Sequence, residues 1–186
     1  MAKVATALTT RRLVLQPISS AHVHGLYDAI IASRAELLPW MPWARDPTVE
    51  TSRLYANEAD AARKEDHEYH FAVVEPATKM VLGVVGVNRV DNTTCLELHY
   101  WIRSDRAGHG LATEACGAII TWAVNALGTA RFTLWAGQDN AASRRVAEKL
   151  GFTDVGPMSW KPDGGQGTFA AEAYELLVTT AMPRIR

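Results

Sequence analysis

The chain is poor in the features that mark many functional classes. It has two cysteines, Cys95 and Cys116, in 186 residues, too few for a disulfide framework, and neither has partners at metal-ligand spacing. No apolar run approaches the roughly 20 residues that span a membrane. The opening Met1-Ala2-Lys3-Val4-Ala5-Thr6-Ala7-Leu8 is too short in apolar residues for a secretory signal. Reduced, packed cysteines in a cytoplasmic protein are therefore expected, with no metal and no membrane partner. Nor does charge of one sign dominate: the formal net charge is −1, which leaves no basic field to hold nucleic acid. Internal repeats and low-complexity tracts are missing too, so residues 1–186 read as one domain.

What the chain has is an ordinary core-forming composition, 48% hydrophobic and 21% charged, arranged with clear periodicity. Leu13-Val14-Leu15 before Pro17 reads as a short strand. Ser19 or Ser20 then caps a helix carrying Val23, Leu26, Tyr27, Ile30 and Ile31 at 3.6-residue spacing. Two prolines make residues 37–43 a rigid apolar connection, and Thr48 opens a more polar helix to about Lys64. Residues 71–74 and 81–87 form strands joined as a hairpin across Pro76-Ala77-Thr78-Lys79. Asp91-Asn92 turns into a strand over 95–102. A helix follows with Leu111, Ala115, Ala118, Ile119, Trp122 and Ala123 on one side, then a buried strand over 131–135. A helix over 140–150 ends at Gly151, and strands over 152–160 and 169–178 flank the loop Pro162-Asp163-Gly164-Gly165-Gln166-Gly167. The pattern is α/β, with a mixed, mostly antiparallel sheet flanked by helices.

The most informative stretch is Trp101-Ile102-Arg103-Ser104-Asp105-Arg106-Ala107-Gly108-His109-Gly110-Leu111-Ala112-Thr113-Glu114-Ala115. An apolar strand leads into two glycines, and a helix begins at once. Backbone N–H groups can converge there, and the helix N-terminus adds partial positive charge, an arrangement suited to a phosphate or pyrophosphate. No lysine follows as in a nucleoside-triphosphate P-loop, and Thr113 stands where a dinucleotide fingerprint needs glycine.

This stretch resembles the signature Gln/Arg-x-x-Gly-x-Gly/Ala of the GNAT superfamily of acetyl-CoA-dependent N-acetyltransferases. Residues 107–112 match it at every position except the first, where Ala107 stands and Arg106 lies one residue early. Four further segments are similar to the ribosomal-protein N-terminal acetyltransferase branch: Thr10-Arg11-Arg12-Leu13-Val14-Leu15, Leu38-Pro39-Trp40-Met41-Pro42-Trp43-Ala44, Glu97-Leu98-His99-Tyr100-Trp101-Ile102 and residues 140–152. The resemblance implies a GNAT fold in which the strands over 95–102 and 131–136 are parallel neighbours that splay apart. Acetyl-CoA is then the expected co-substrate. Tyr100, Trp101 and Ile102 would present backbone to its pantetheine arm, and Gly108, His109, Gly110, Leu111, Ala112 and Thr113 would surround its pyrophosphate. The family also often forms homodimers, and nothing in the chain fixes an interface.

Acetyl transfer to an amine needs a neutral nucleophile, donors for the developing oxyanion, and a hydrogen bond or proton for the departing thiolate. Ser143, three residues after Asn140, occupies the position where the resembling branch places a serine near the CoA sulfur. Asn140 is both a candidate N-cap and, by resemblance, a contact of the pantetheine arm. The superfamily's other catalytic pair would fall on Trp135 and Ala147, whose side chains cannot perform it. Strand alternation puts Glu97, His99 and Trp101 on one face. Glu97 and His99 are candidate bases, with Glu172 a third, and each has a plain structural alternative as a hydrogen-bonding group.

In the resembling branch the segment holding Trp40 and Trp43 borders the acceptor cleft. Both indoles are candidate substrate-binding walls or, equally, anchors of the loop to the core. An α-amine with pKa about 8 needs roughly 1 kcal/mol to become neutral at pH 7, against roughly 4.6 kcal/mol for a lysine. A site without an evident strong base therefore points to a protein N-terminus, such as that of a ribosomal protein. A small amine (polyamine, amino acid or antibiotic) is the alternative acceptor, and a non-catalytic acetyl-CoA-binding regulator is the alternative class.

Overall fold

Seven of the nine residues of strand β4 (Val81–Arg89) are buried, a pattern that requires covering layers on both faces of the sheet. The computed structural model describes residues 6–90, 93–160 and 169–178. Around β4 lie β1 (Leu8–Thr9), β2 (Val14–Pro17), β3 (Glu68–Val74), β5 (Cys95–Ile102), β6 (Arg131–Gly137), β7 (Thr153–Trp160) and β8 (Phe169–Leu177). They form one sheet in the order β1-β2-β3-β4-β5-β6-β8-β7. Every neighbouring pair is antiparallel except β5 and β6. The architecture is the mixed, mostly antiparallel α/β arrangement that the sequence predicts.

Among the described residues four helices cover the two faces. Helices α1 (Val23–Leu37) and α2 (Val49–Lys64) pack on Ala72, Val84 and Trp101. Helices α3 (Leu111–Leu127) and α4 (Ala141–Lys149) pack on the opposite face, over Phe71, Leu96, Leu98 and Phe132. Capping follows the expected chemistry. Thr48 accepts a hydrogen bond from the Thr51 N–H at 3.0 Å. Gly151, with φ at 82°, ends α4 while the Phe152 N–H reaches the Ala147 carbonyl at 3.0 Å. Both cysteines are buried and free.

The differences from expectation are local. β1 is two residues long and carries no readable period. β3 starts at Glu68, since the polar residues Glu68 and His70 continue the ladder below Phe71. A tight turn over Ser20–His22 precedes α1, so the α-helix proper begins at Val23. Ile31 is 47% exposed because the apolar stripe of α1 is wider than its packed face. β6 is buried on one face only, leaving Trp135 on the other at 37% exposure. The Asp91-Asn92 turn and the loop 162–167 lie outside the described residues.

Candidate active site

The parallel pair β5 and β6 shares three register positions, Cys95 with Arg131, Leu96 with Phe132 and Glu97 with Thr133. Beyond them the strands part. β5 stays paired with β4 as far as Ile102 opposite Gly83, and β6 with β8 as far as Gly137 opposite Ala171. Among the described residues, the edge of 98–102 facing β6 is therefore left without a ladder partner, and a cleft of about 730 Å³ opens there. On the other side of β5, Gly83 lets β4 approach closely, since a Cβ there would lie 2.0 Å from the Trp101 carbonyl oxygen.

At one end of the cleft, Gly108 and Gly110 adopt φ of 81° and 76°, values that disfavour any residue with a Cβ. Gly110 is the N-cap of α3 and offers no side-chain cap. The N–H groups of Leu111, Ala112 and Thr113 precede the first helical acceptor and are available to an anion. These three residues, with Gly108 and Gly110, line the cleft.

The turn is braced from outside. Arg12 donates from Nη1 to the His109 carbonyl at 2.8 Å and from Nε to Glu114 Oε2 at 2.6 Å. Glu114 Oε1 also accepts from the Thr10 hydroxyl and the Arg12 N–H. Burial opposes ionisation of Glu114, yet these donors hold its carboxyl below the ordinary range. His109 itself does not line the cleft. No sequence pattern announces this brace, because about a hundred residues separate Arg12 from the turn and its charge looks like any surface charge.

Ser143 sits in the first turn of α4, its N–H donating to Asn140 Oδ1 at 3.0 Å, so Asn140 is the N-cap. The Ser143 Oγ lies 2.9 Å from the hydroxyl of Tyr100 on β5. Burial, with some repulsion from Cys116, pushes the Tyr100 phenol up, and the Ser143 hydrogen bond only partly offsets this. Tyr100 is therefore a hydroxyl near neutral pH and can donate to Ser143. That arrangement frees the Ser143 hydrogen to donate in turn. In the sequence Tyr100 reads as a backbone contact alone; its hydroxyl enters the site because α4 lies across from β5. Asn140, Ser143, Tyr100, Trp101 and Ile102 all line the cleft.

Glu97 and His99 line the cleft as well. His99 Nε2 lies 3.2 Å from His70 Nδ1 on β3, while its own Nδ1 is buried without a protein partner among the described residues. Burial, reinforced by His70, lowers its pKa well below the usual histidine value, so it is neutral at pH 7. Glu172 accepts from Gln138 Nε2 at 3.1 Å and does not line the cleft.

The tryptophan loop divides its two indoles. Trp40 lines the cleft and lies over Gly137, where a Cβ would come within 2.5 Å of the ring. Trp43 stands outside the lining, 47% exposed, its ring 6.1 Å from that of Trp101. Among the described residues no group of three or more His, Cys, Asp or Glu side chains is placed to hold a metal. No described helix is long and apolar enough to cross a membrane.

Known proteins are similar to this chain in sequence and in fold. The chain is 25% identical to a ribosomal-protein-serine acetyltransferase of Escherichia coli over 91% of its own length and 92% of that protein. The fold is similar to that of the ribosomal-protein-S5-alanine acetyltransferase from Vibrio fischeri, with a TM-score of 0.83 at 17% identity, covering 96% of this chain and 100% of that one. It is similar again to the microcin C7 self-immunity acetyltransferase in complex with acetyl-CoA and AMP, with a TM-score of 0.85 at 17% identity, covering 95% and 99%. A family model described as acetyltransferase (GNAT) domain matches residues 12–153, well over half of the chain. With the splayed parallel pair and the glycine turn at the head of α3, that match makes the chain a member of the GNAT acetyltransferase family, an enzyme that transfers acetyl groups.

Proposed function

We propose that the protein transfers the acetyl group of acetyl-CoA to the N-terminal α-amine of a protein. The observation carrying this reading is that one cleft joins an uncapped, glycine-headed helix N-terminus to the hydroxyl pair Tyr100 and Ser143. The amides of residues 108–113 suit the pyrophosphate, and the partnerless edge of residues 98–102 suits the pantetheine amides. Arg106, Arg145 and Lys149 line the same cleft and add positive charge for the phosphates.

The Tyr100 hydroxyl donates to Ser143, whose hydrogen is then directed at the departing thiolate. Donors for the developing oxyanion come from backbone N–H groups on the open edge of β5. Neutral, buried His99 is a weak base, which favours an acceptor that is easily made neutral. At pH 7 an α-amine needs roughly 1 kcal/mol for this and a lysine roughly 4.6 kcal/mol. The relatives named for ribosomal proteins support a protein acceptor, with Trp40 as one wall of its path. Glu36 and Glu97 in the lining support a polyamine as the second reading.

Two measurements test the proposal. Acetyl-CoA at about 100 times its Kd should stabilise the fold by about 2.7 kcal/mol, seen as a raised Tm. CoA release should then be faster with serine- or alanine-initiated peptides than with spermine or an aminoglycoside. No thermal shift removes the co-substrate assignment, and preference for spermine removes the peptide acceptor.

A further inference from the structure

His70, Gly86 and His99 occupy one row across three adjacent strands, His70 opposite Gly86 and Gly86 opposite His99. Two side chains on strands once removed do not ordinarily touch. Here they meet because the strand between them carries glycine: a Cβ at Gly86 would fall 2.5 Å from His99 Nε2. The imidazole centroids are 4.6 Å apart. His70 Nε2 lies 2.7 Å from Glu68 Oε2, and His70 Nδ1 lies 2.9 Å from the Tyr55 hydroxyl of α2.

The partners fix the tautomers. A carboxylate only accepts, so His70 carries its hydrogen on Nε2 toward Glu68. Burial pushes the Tyr55 phenol up, so it remains a donor to His70 Nδ1. His99 Nε2, 3.2 Å from the same unprotonated Nδ1, carries its hydrogen as well, because two lone pairs facing at that distance repel. It shares the one lone pair of His70 Nδ1 with the Tyr55 hydroxyl as a three-centre bond, and its own Nδ1 is left as a bare lone pair. That atom is the buried one without a protein partner among the described residues, an arrangement that is unfavourable unless a ligand supplies a donor. Glu68 is 43% exposed at the far end of the row. A line of hydrogen bonds thus joins the cleft wall to solvent.

We propose that His99, His70 and Glu68 form a proton exit from the acceptor amine to bulk water, with His70 the positioning residue that sets the tautomer of His99. The inference rests on the amine-acetylation reading above. An ammonium acceptor gives one proton to His99 Nδ1 as His99 Nε2–H passes its proton to His70 Nδ1. His70 Nε2–H passes its own to Glu68, which releases it to water. The freed nitrogen lone pair forms the C–N bond and the C–S bond breaks. The nitrogen's second surplus proton ends on sulfur, so the products are the amide, the CoA thiol and one released proton. The titratable groups facing the row are Tyr55 from α2, His67 beside Glu68, and Glu97 in the adjacent row on β5.

Two readouts separate failure of the relay from failure of the functional reading. Imidazole 15N spectra of the full chain need no substrate. They should find both His70 and His99 as Nε2–H tautomers at pH 7, and an Nδ1–H tautomer at His99 overturns the relay. With an alanine-initiated tetrapeptide and acetyl-CoA, His70→Gln should lower kcat roughly tenfold or more at pH 7. Glutamine keeps the hydrogen bonds but cannot pass a proton. The peptide KM and the acetyl-CoA thermal shift should stay within about twofold, and the kcat deficit should close toward pH 9 as hydroxide takes over. Glu68→Gln, on a half-exposed side chain, should reproduce the same profile in weaker form. A kcat–pH profile unchanged in both variants overturns the proposal. A peptide left unacetylated by the wild-type protein contradicts the acceptor reading, while the spectra still decide the relay.

Discussion

The Tyr100 hydroxyl on β5 lies 2.9 Å from the Ser143 Oγ at the start of α4, across 43 positions of sequence. The contact spans from β5 to α4 three residues beyond Glu97, the last β5 residue paired with β6. Each hydroxyl orients the other, and both residues line the cleft.

Ser143→Ala should lower kcat by roughly a hundredfold, and Tyr100→Phe by roughly tenfold. On the proposal that Tyr100 acts through Ser143, the double variant should be no slower than Ser143→Ala alone. Steady-state kinetics on the four proteins checks this, and additive losses would separate the two roles.

At the helix head, Gly110→Ala places a Cβ at a φ of 76°. The expected destabilisation is about 1–2 kcal/mol, which lowers Tm by about 2–8 °C for a chain of this size. The same change should reduce acetyl-CoA-induced stabilisation, since the turn's amides no longer converge. Differential scanning fluorimetry with and without ligand measures both.

On the acceptor side, Gly137→Ala would drive a methyl group to within 2.5 Å of the Trp40 ring and displace it. KM for the acceptor should rise at least about fivefold, and the acetyl-CoA thermal shift should be unchanged. A loss of acetyl-CoA binding instead would relocate Trp40 to the co-substrate side.

The brace under the glycine turn gives a pH signature. Burial works against Glu114 ionisation, but donors from Thr10 and Arg12 leave its folded pKa below the unfolded value. Its contribution is therefore complete above the unfolded pKa of about 4.5 and is lost as pH falls through the folded value. Glu114→Gln should be less stable than wild type by about 1–2 kcal/mol at pH 7, and the gap should narrow below about pH 4.5. Denaturant melts at pH 7, 5 and 3.5 check it.

Much of this was legible in the residues, where local chemistry decides. Gly108, Gly110 and the apolar face of α3 mark the turn by themselves, and the Asn140 cap with Gly151 brackets α4. Trp40 and Trp43 were indistinguishable by type and spacing; only packing against Gly137 and Trp101 separates them. Arg12 with Glu114, Tyr100 with Ser143 and His70 with His99 stayed hidden for a common reason. Each joins segments far apart in sequence, and strand register brings such residues together without a local pattern. Gly86 reads in sequence as a weak point in a strand, although it is the vacancy into which His99 fits.

Acetyl-CoA is proposed to lie between the diverging ends of β5 and β6 with its diphosphate on the turn at residues 108–113. Amide chemical shifts recorded during acetyl-CoA titration of the 15N-labelled protein test this directly. Saturable changes should concentrate at residues 98–102, 108–113 and 140–143. Saturable changes that leave those three segments still would contradict it.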